Sequence, residues 1–369
     1  CQLIALPERQ LASADALHDV VRREGAGDPT RHEIVYRPDG RRLVKRWDET
    51  DVAAPAARAG DAAPAWVKDG GVYWITGGMG GLGRLFAGHL AGAAGGPISL
   101  VLSGRAALTD EGRRYLQSLE RPGVAIEYRP CDVGDPDQVR AAAEHIARRY
   151  GRLDGVVHGA GVLRDGLIVG KDAGDFEPVF AAKAKGAELI DRATESLNPE
   201  LFVLCSSVAA VAGNVGQAEY GSANAYLDAF AEARDARLRA AGRRGVTVSI
   251  NWPLWKDGGM RVDAETEARL ARRAGLSALP TAEGLAALDA IVARGVSGQV
   301  LVLSGEVERM RRAWSIGARP EGEPRPAPGA APAPGPGVEQ SLLEICAELL
   351  EIEPGEFDLD TQLSEYGVD

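Results

Sequence analysis

Seven short apolar runs, rich in β-branched residues, recur between Val72 and about Leu303, and most are followed by a longer stretch of helical character. They are "VYWIT" (72–76), "ISLVLS" (98–103), "AIEYRP" (125–130), "GVVHG" (155–159), "LFVLCS" (201–206), "VTVSIN" (246–251) and "QVLVLS" (299–304). A strand with one wet face alternates apolar and polar residues. Near-continuous apolar strands separated by helices therefore predict a parallel, doubly wound sheet covered on both faces, an α/β fold. The first unit is the most informative. "VYWITGGMGGLGRLFAGHL" places Thr76-Gly77-x-x-x-Gly81-x-Gly83 between a strand and a helix. Glycine at these places permits a tight turn and lets backbone approach a pyrophosphate, and the following helix aims its N-terminal N–H groups at that anion. A dinucleotide loop made by Thr76, Gly77, Gly78, Met79, Gly81, Leu82 and Gly83 is the expectation.

The ends of the next strands refine that site. The second run closes on Ser103, Gly104 and Arg105, where a fold selecting NAD has an acid for the ribose 2′-hydroxyl. A guanidinium there suits a 2′-phosphate, so NADPH is the expected cofactor. Cys131, Asp132 and Val133 end the third run, with Asp132 placed to meet the adenine. His158, Gly159, Ala160 and Gly161 end the fourth, where small residues let the nicotinamide lie close. His158 itself stands apart from the other histidines and reads first as a strand-end core residue. Pro253 and Leu254 follow the sixth run, on a loop that borders the cofactor. Trp252 and Trp255 suit either a core plug or a lid, with position favouring the lid. Lys171 and Lys185 read as solvated side chains.

Reduction of a ketone needs a hydride donor and an acid beside the carbonyl oxygen. A tyrosine serves if a nearby cation lowers its pKa. In "SSVAAVAGNVGQAEYGSAN" (206–224), Tyr220 and Asn224 share one helix face at i, i+4 spacing, and Ser207 ends the fifth strand. Reductases of a common class carry lysine where Asn224 stands. The missing cation is Lys183 or Lys185 in "FAAKAKGAELI", and spacing alone does not choose between them.

The stretch 72–303 resembles the catalytic subdomain of a ketoreductase from a modular polyketide synthase, a branch of the short-chain dehydrogenase/reductase superfamily. "TGGMGGLG", "LSGR", "CDV", "VVHGAGV", "KAKGAELI", "SSVAAVAGNVGQAEYGSANAYLDAFA" and "NWPLWKDGGM" carry the likeness. The resemblance implies a Rossmann-like fold and an NADPH-dependent enzyme that reduces the β-keto group of a chain carried on the phosphopantetheine arm of an acyl carrier protein. It also implies that lysine and asparagine have exchanged places relative to the wider superfamily. Lys183, Ser207, Tyr220 and Asn224 are then the catalytic set. The loop triplet Leu163-Arg164-Asp165 keeps the last aspartate that accompanies the B-type, giving a D-hydroxy product. Ala212 stands where the A-type carries tryptophan, eight residues before the tyrosine. Gln217, Trp255 and Met260 complete the residues expected around the substrate. "NWPLW" and "GGM" resemble synthases whose acyltransferase is a separate protein. A silent NADPH-binding scaffold and a free-standing reductase are the alternatives; the tyrosine and asparagine weigh against the first, the linker and tail described next against the second.

The same resemblance organises the ends. Residues 1–50 resemble the tail of the structural subdomain that precedes such a catalytic subdomain, and "HEIVYRPDGRRLVKRW" (32–47) has the pattern of a hairpin around Pro38-Asp39-Gly40. Residues 51–65 read as a linker and 66–319 as the NADPH-binding catalytic part. Residues 320–337, with seven prolines and four glycines, form a second linker. Residues 338–369 resemble the start of an acyl carrier protein, with Leu342, Ile345, Leu349 and Ile352 at helical spacing. The chain begins at Cys1 and stops at Asp369, before the attachment serine of that family, so it reads as a piece of something longer. A net charge of −11 without a dense Lys/Arg block weighs against a nucleic-acid partner. Four cysteines without a CxxC pair weigh against zinc or a disulfide framework and suit a reducing cytoplasm. No apolar run is long enough to span a membrane. The expected partners are the carrier protein and the other synthase domains.

Overall fold

The computed structural model describes residues 3–7, 14–25, 33–50, 66–262, 264–314 and 316. All belong to Cys1–Gly317, the first of two units into which the chain divides. The linkers expected at 51–65 and 320–337 and the helix expected after Val338 lie outside the described residues.

A small sheet comes first: β1 (Leu3–Ala5), β2 (Glu33–Tyr36) and β3 (Arg42–Val44), in that order. β2 and β3 form the expected antiparallel hairpin, and Gly40 takes the left-handed φ of +87° that its turn requires. The parallel pairing of β1 with β2 has no counterpart in the sequence reading, because a three-residue strand is too short to show a period. Helix α1 (Ala14–Gly25) brings Val20 onto Ile34 and Tyr36. Glu24, 2% exposed, accepts two hydrogen bonds from the Arg42 guanidinium and one from the Tyr36 hydroxyl. The Arg42 contact holds the Glu24 carboxyl below its usual pKa, against the opposing effect of burial.

The large sheet contains β4 (Gly71–Thr76), β5 (Ile98–Gly104), β6 (Val124–Pro130), β7 (Gly155–His158), β8 (Leu201–Ser207), β9 (Val246–Trp252) and β10 (Gly298–Leu301). Their order is β10-β9-β8-β7-β4-β5-β6, all parallel. Every expected strand is present, the last ending at Leu301 instead of 304. The intervening helices are α2 (Gly81–Ala93), α3 (Asp110–Leu119), α4 (Pro136–Tyr150), α5 (Ala173–Phe180), α6 (Gly186–Ala193), α7 (Ala209–Ala212), α8 (Ala218–Ala240), α9 (Ala264–Ala274), α10 (Thr281–Ala293) and α11 (Val307–Ala313). Their ends obey local chemistry. Thr109 caps α3, and Asp135 with Pro136 starts α4, which stops at Gly151 with φ +68°.

β4 is buried along its whole length because helices cover both faces. One layer packs Tyr73, Ile75, Phe86, Leu100 and Trp252; the other packs Trp74, Val156, Ile190, Phe202 and Leu227. From β4 the chain winds outward through β5 and β6, then returns to lay β7 on the other side of β4. That reversal opens a crevice at the C-terminal ends of β4 and β7, where such sheets bind ligands.

Trp255 departs from expectation. Instead of forming a lid over substrate, it is 3% exposed and stacks edge-on against Trp252 at 5.0 Å and Phe86 at 5.8 Å. Gly284 of α10 admits the indole, since a Cβ there would stand 2.3 Å from the ring. A large aromatic ring buries more apolar area in this slot than on a rim.

Candidate active site

The glycine-rich turn follows β4 directly. Gly77 has φ +65°, and a Cβ on it would stand 2.7 Å from the Gly159 carbonyl. A Cβ on Gly83 would lie 2.2 Å from the Gly77 carbonyl. Both positions need glycine for this packing of turn, helix and the β7 end. Gly78 N–H donates to Ser103 O at 2.9 Å, and Arg84 braces Met79 O at 3.1 Å. Gly80, the N-cap of α2, offers no side chain to its N–H groups. Leu82 is half-buried on the first turn of α2. The loop after β9 closes over the start of α2, with a Cβ on Gly81 falling 1.9 Å from the Gly258 carbonyl. Pro253 and the half-buried Leu254 lead into that loop, and Met260, 38% exposed, ends it. A narrow backbone cradle with uncapped N–H groups fits a dinucleotide pyrophosphate.

Several expected cofactor contacts sit one layer deeper. Ser103 is fully buried and accepts the Trp74 indole N–H at 2.9 Å, so it shapes the turn through its carbonyl and presents no side chain to a ligand. Cys131 and Val133 belong to the core, and burial pushes the Cys131 thiol up to about 11. Asp132 is half-buried and accepts from Gly134 N–H at 2.9 Å. Arg105 is exposed immediately after β5.

His158 is also fully buried. Its Nδ1 lies 2.8 Å from the Thr76 hydroxyl and its Nε2 3.1 Å from the Lys183 carbonyl. Burial lowers its pKa to about 4, so the ring is neutral at physiological pH. The Lys183 carbonyl only accepts, so Nε2 carries the proton and Nδ1 accepts from Thr76. The histidine thus joins the glycine-rich turn to the lysine-bearing segment. Gly159 and Ala160 are half-buried and Gly161 exposed; a Cβ on Gly161 would lie 3.2 Å from Lys183 Cε.

Ala181–Lys185 between α5 and α6 is a π-helical turn. The Gly186 N–H reaches back to the Ala181 carbonyl, and Pro178 in α5 withholds a donor just before it. This wide turn buries Lys183, 4% exposed, and leaves Lys185 in solvent. Lys183 Nζ donates to Cys205 O at 2.9 Å and lies 5.4 Å from the centre of the Tyr220 ring. Burial lowers its pKa to about 8. Of the two candidate lysines, the fold brings Lys183 to Tyr220. Tyr220 itself is raised above its ordinary pKa by burial, with the neighbouring polar side chains of Ser207 and Asn224 acting in the opposite direction. Lys183 engages the Cys205 carbonyl and presents its ammonium to the face of the Tyr220 ring. Asn224 Nδ2 donates to Tyr220 O at 2.8 Å, and its Oδ1 is buried without a hydrogen-bond partner among the described residues.

Beneath these residues lies a polar network that sequence reading missed. Asp228 accepts from Ser249 at 2.6 Å and from Asn251 and Gln299 at 2.9 Å each. Asn251 Nδ2 also meets Ser206 Oγ and Ser207 O at 3.0 Å, and Ser206 donates to Asn224 O at 3.2 Å. One signal was available: Asp228 follows Asn224 by the same four-residue step that separates Asn224 from Tyr220. On the outer side, Asp165 accepts from Gln217 at 3.0 Å, Leu163 is 39% exposed, and Ala212 is exposed at the end of α7. Lys171 is not solvated. Its side chain, 3% exposed, forms an ion pair with Glu219 at 3.0 Å. Among the described residues no cluster of acids, histidines or cysteines is arranged to hold a metal, and no helix is long and apolar enough to cross a membrane.

A seven-stranded parallel sheet with a glycine-rich turn after its central strand, and Tyr, Ser, Lys and Asn gathered at one end, defines a short-chain dehydrogenase/reductase fold. The KR domain family model matches residues 71–257, just over half of the sequence, and the chain belongs to that family of ketoreductases. It is 37% identical over 278 residues to polyketide synthase PksN of Bacillus subtilis, covering 75% of this chain and 5% of that synthase. With ThaG of Burkholderia thailandensis it shares 38% over 304 residues, 82% of this chain and 5% of the relative. It therefore spans a small fraction of these synthases. Among solved structures, a ketoreductase domain from the bacillaene assembly line superposes with a TM-score of 0.74 at 36% identity, covering 84% of this chain and 71% of that one. An A-type ketoreductase from a modular polyketide synthase gives 0.69 at 29%, covering 85% and 62%. The chain is accordingly of the oxidoreductase class.

Proposed function

We propose that this chain reduces the β-keto group of a polyketide intermediate to a β-hydroxyl with NADPH, the intermediate being tethered to an acyl carrier protein within a cytoplasmic multidomain synthase, one whose acyltransferase is a separate protein. The observation that carries this reading is the meeting of Lys183 and Tyr220, from different helices, beside Ser207 and the glycine-rich turn. The turn Thr76–Gly83 with the uncapped start of α2 would hold the pyrophosphate, Arg105 the 2′-phosphate, and Gly159–Gly161 would border the nicotinamide. When bound, NADPH supplies the hydride. Tyr220, protonated through neutral pH, donates its hydroxyl proton to the developing alkoxide. Ser207 donates a hydrogen bond to the same oxygen. Lys183, cationic below about pH 8, favours the tyrosinate that remains. Asn224, with its free Oδ1, supports proton return to Tyr220. Asp165, with Ala212 at the position of the A-type tryptophan, supports a B-type enzyme.

The test is NADPH oxidation with a 3-ketoacyl thioester surrogate lacking an α-branch, followed by chiral chromatography. The expected product is the D-configured, usually 3R, alcohol. No oxidation above the uncatalysed rate would defeat the reductase reading, and mainly L-alcohol would defeat the B-type assignment alone.

A further inference from the structure

The loop that follows β7 carries Leu163-Arg164-Asp165 and then turns its apolar side chains outward. Leu167, Ile168 and Val169 are 58%, 64% and 89% exposed. A segment that buries none of these groups gains little from the hydrophobic effect, so its position depends on polar contacts. Four are present. Gly166 N–H donates to Gly216 O at 2.8 Å, Gln217 to Asp165 at 3.0 Å, and Lys171 Nζ to the Arg164 carbonyl. The fourth is the Lys171–Glu219 ion pair, with side chains 3% and 0% exposed. Gln217 and Asp165 face solvent, where such contacts are weak and exchange with water. The ion pair is shielded from it. Glu219 accepts no hydrogen bond of good geometry among the described residues, so Lys171 is its charge partner. One ammonium thereby closes the loop on itself at Arg164 and fastens it to the residue immediately before Tyr220. Glu219 also lies in the first turn of α8, where negative charge suits the helix dipole.

We infer that the buried Lys171–Glu219 pair is a positioning device that holds the 163–171 loop against the first turn of the Tyr220 helix, and so determines which face of the ketone is presented. The inference deepens the reductase reading above and rests on it for its stereochemical part. Burying two charges stabilises less than an apolar pair of equal volume, whereas removing one partner strands the other. Such a pair therefore suits fixing one geometry better than adding stability.

The experiment uses the full chain with Lys171→Met, Glu219→Gln, Lys171→Arg and the double variant Lys171→Ala/Glu219→Ala. Hydrogen exchange of residues 163–171 is read first, because it needs no substrate. Exchange there should rise at least about tenfold in the two single neutralising variants and in the double variant, without change in β4–β6. Steady-state kinetics with the thioester surrogate should show KM raised and the D:L ratio lowered at least about tenfold, with kcat changed less. Lys171→Arg should retain most of the selectivity. If a single variant does not fold, the double variant, which leaves no stranded charge, decides. Wild-type loop exchange and wild-type D:L ratio in the double variant would overturn the inference. A wild-type chain that reduces nothing would sink the reductase reading instead, and loop exchange would still decide whether the pair fastens the loop.

Discussion

At the scale of single residues, Lys183 and Lys185 differ by two positions and by everything that follows from burial. Lys183→Ala should lower kcat by at least about a hundredfold, the scale of lost acid–base assistance, while Lys185→Ala should leave it within about twofold. Equal losses would remove the distinction. The Lys183 pKa of about 8 sets a direction for the pH profile. The cation is present below that value and disappears above it, so kcat/KM should fall as pH rises through about 8. Lys183→Arg should move this limb to higher pH if it reports the lysine. Arg105 acts at the same scale. A charge-assisted phosphate contact contributes about 1.5–3 kcal/mol, so Arg105→Ala should reduce the preference for NADPH over NADH by roughly ten- to a hundredfold in a binding titration. An unchanged ratio would assign the 2′-phosphate to another group.

At the scale of elements, three segments far apart in sequence must stay in register: the turn after β4, the end of β7 and the π-helical turn that bears Lys183. His158 joins them through Thr76 and the Lys183 carbonyl. His158→Phe should leave both partners unsatisfied, with lower thermal stability and a reduced kcat through a displaced Lys183. Its depressed pKa also makes a stability prediction. An unfolded histidine binds a proton near pH 6.5, whereas the native one resists until about pH 4. Protonation therefore favours the unfolded chain as pH falls from 6.5 to 4, by on the order of 3 kcal/mol in total. Urea unfolding across that window should show a smaller pH slope in His158→Phe than in wild type. Identical slopes would mean that other groups account for the acid sensitivity.

On the scale of the whole molecule, the small N-terminal sheet has its own core over Val20, Ile34 and Tyr36 and its own ion pair, in which Glu24 is buried and Arg42 half-buried. Glu24→Ala should lower stability by about 2–3 kcal/mol, because it leaves Arg42 and Tyr36 without their acceptor. The carboxyl's lowered pKa means this contribution is present at neutral pH and lost as pH falls through the folded value. Glu49 meets Arg311 of α11 at 2.8 Å, but their side chains are 56% and 41% exposed. Glu49→Ala should then cost less than about 1 kcal/mol. Urea midpoints of the two variants compare a pair whose carboxylate is buried with a surface one; equal shifts would show that burial of the carboxylate does not distinguish them.

What could be read from the sequence alone was whatever repeats along the chain. Continuous apolar runs announced a buried parallel sheet, glycines between a strand and a helix announced the turn, and i, i+4 spacing joined Tyr220 to Asn224. These signals are local, because strand, turn and helix preferences act over a few residues. The tertiary structure decided what depends on which face of an element meets another. It selected Lys183 over Lys185 through a π-helical turn that no periodicity marks. It drew Trp255 into the core because a slot beside Gly284 fits it. It hid the Ser103 side chain beneath the glycine-rich turn, and it paired Lys171 with Glu219, 48 positions apart. Burial and charge pairing are properties of the packed chain, and a sequence position acquires them only when its neighbours in space are set.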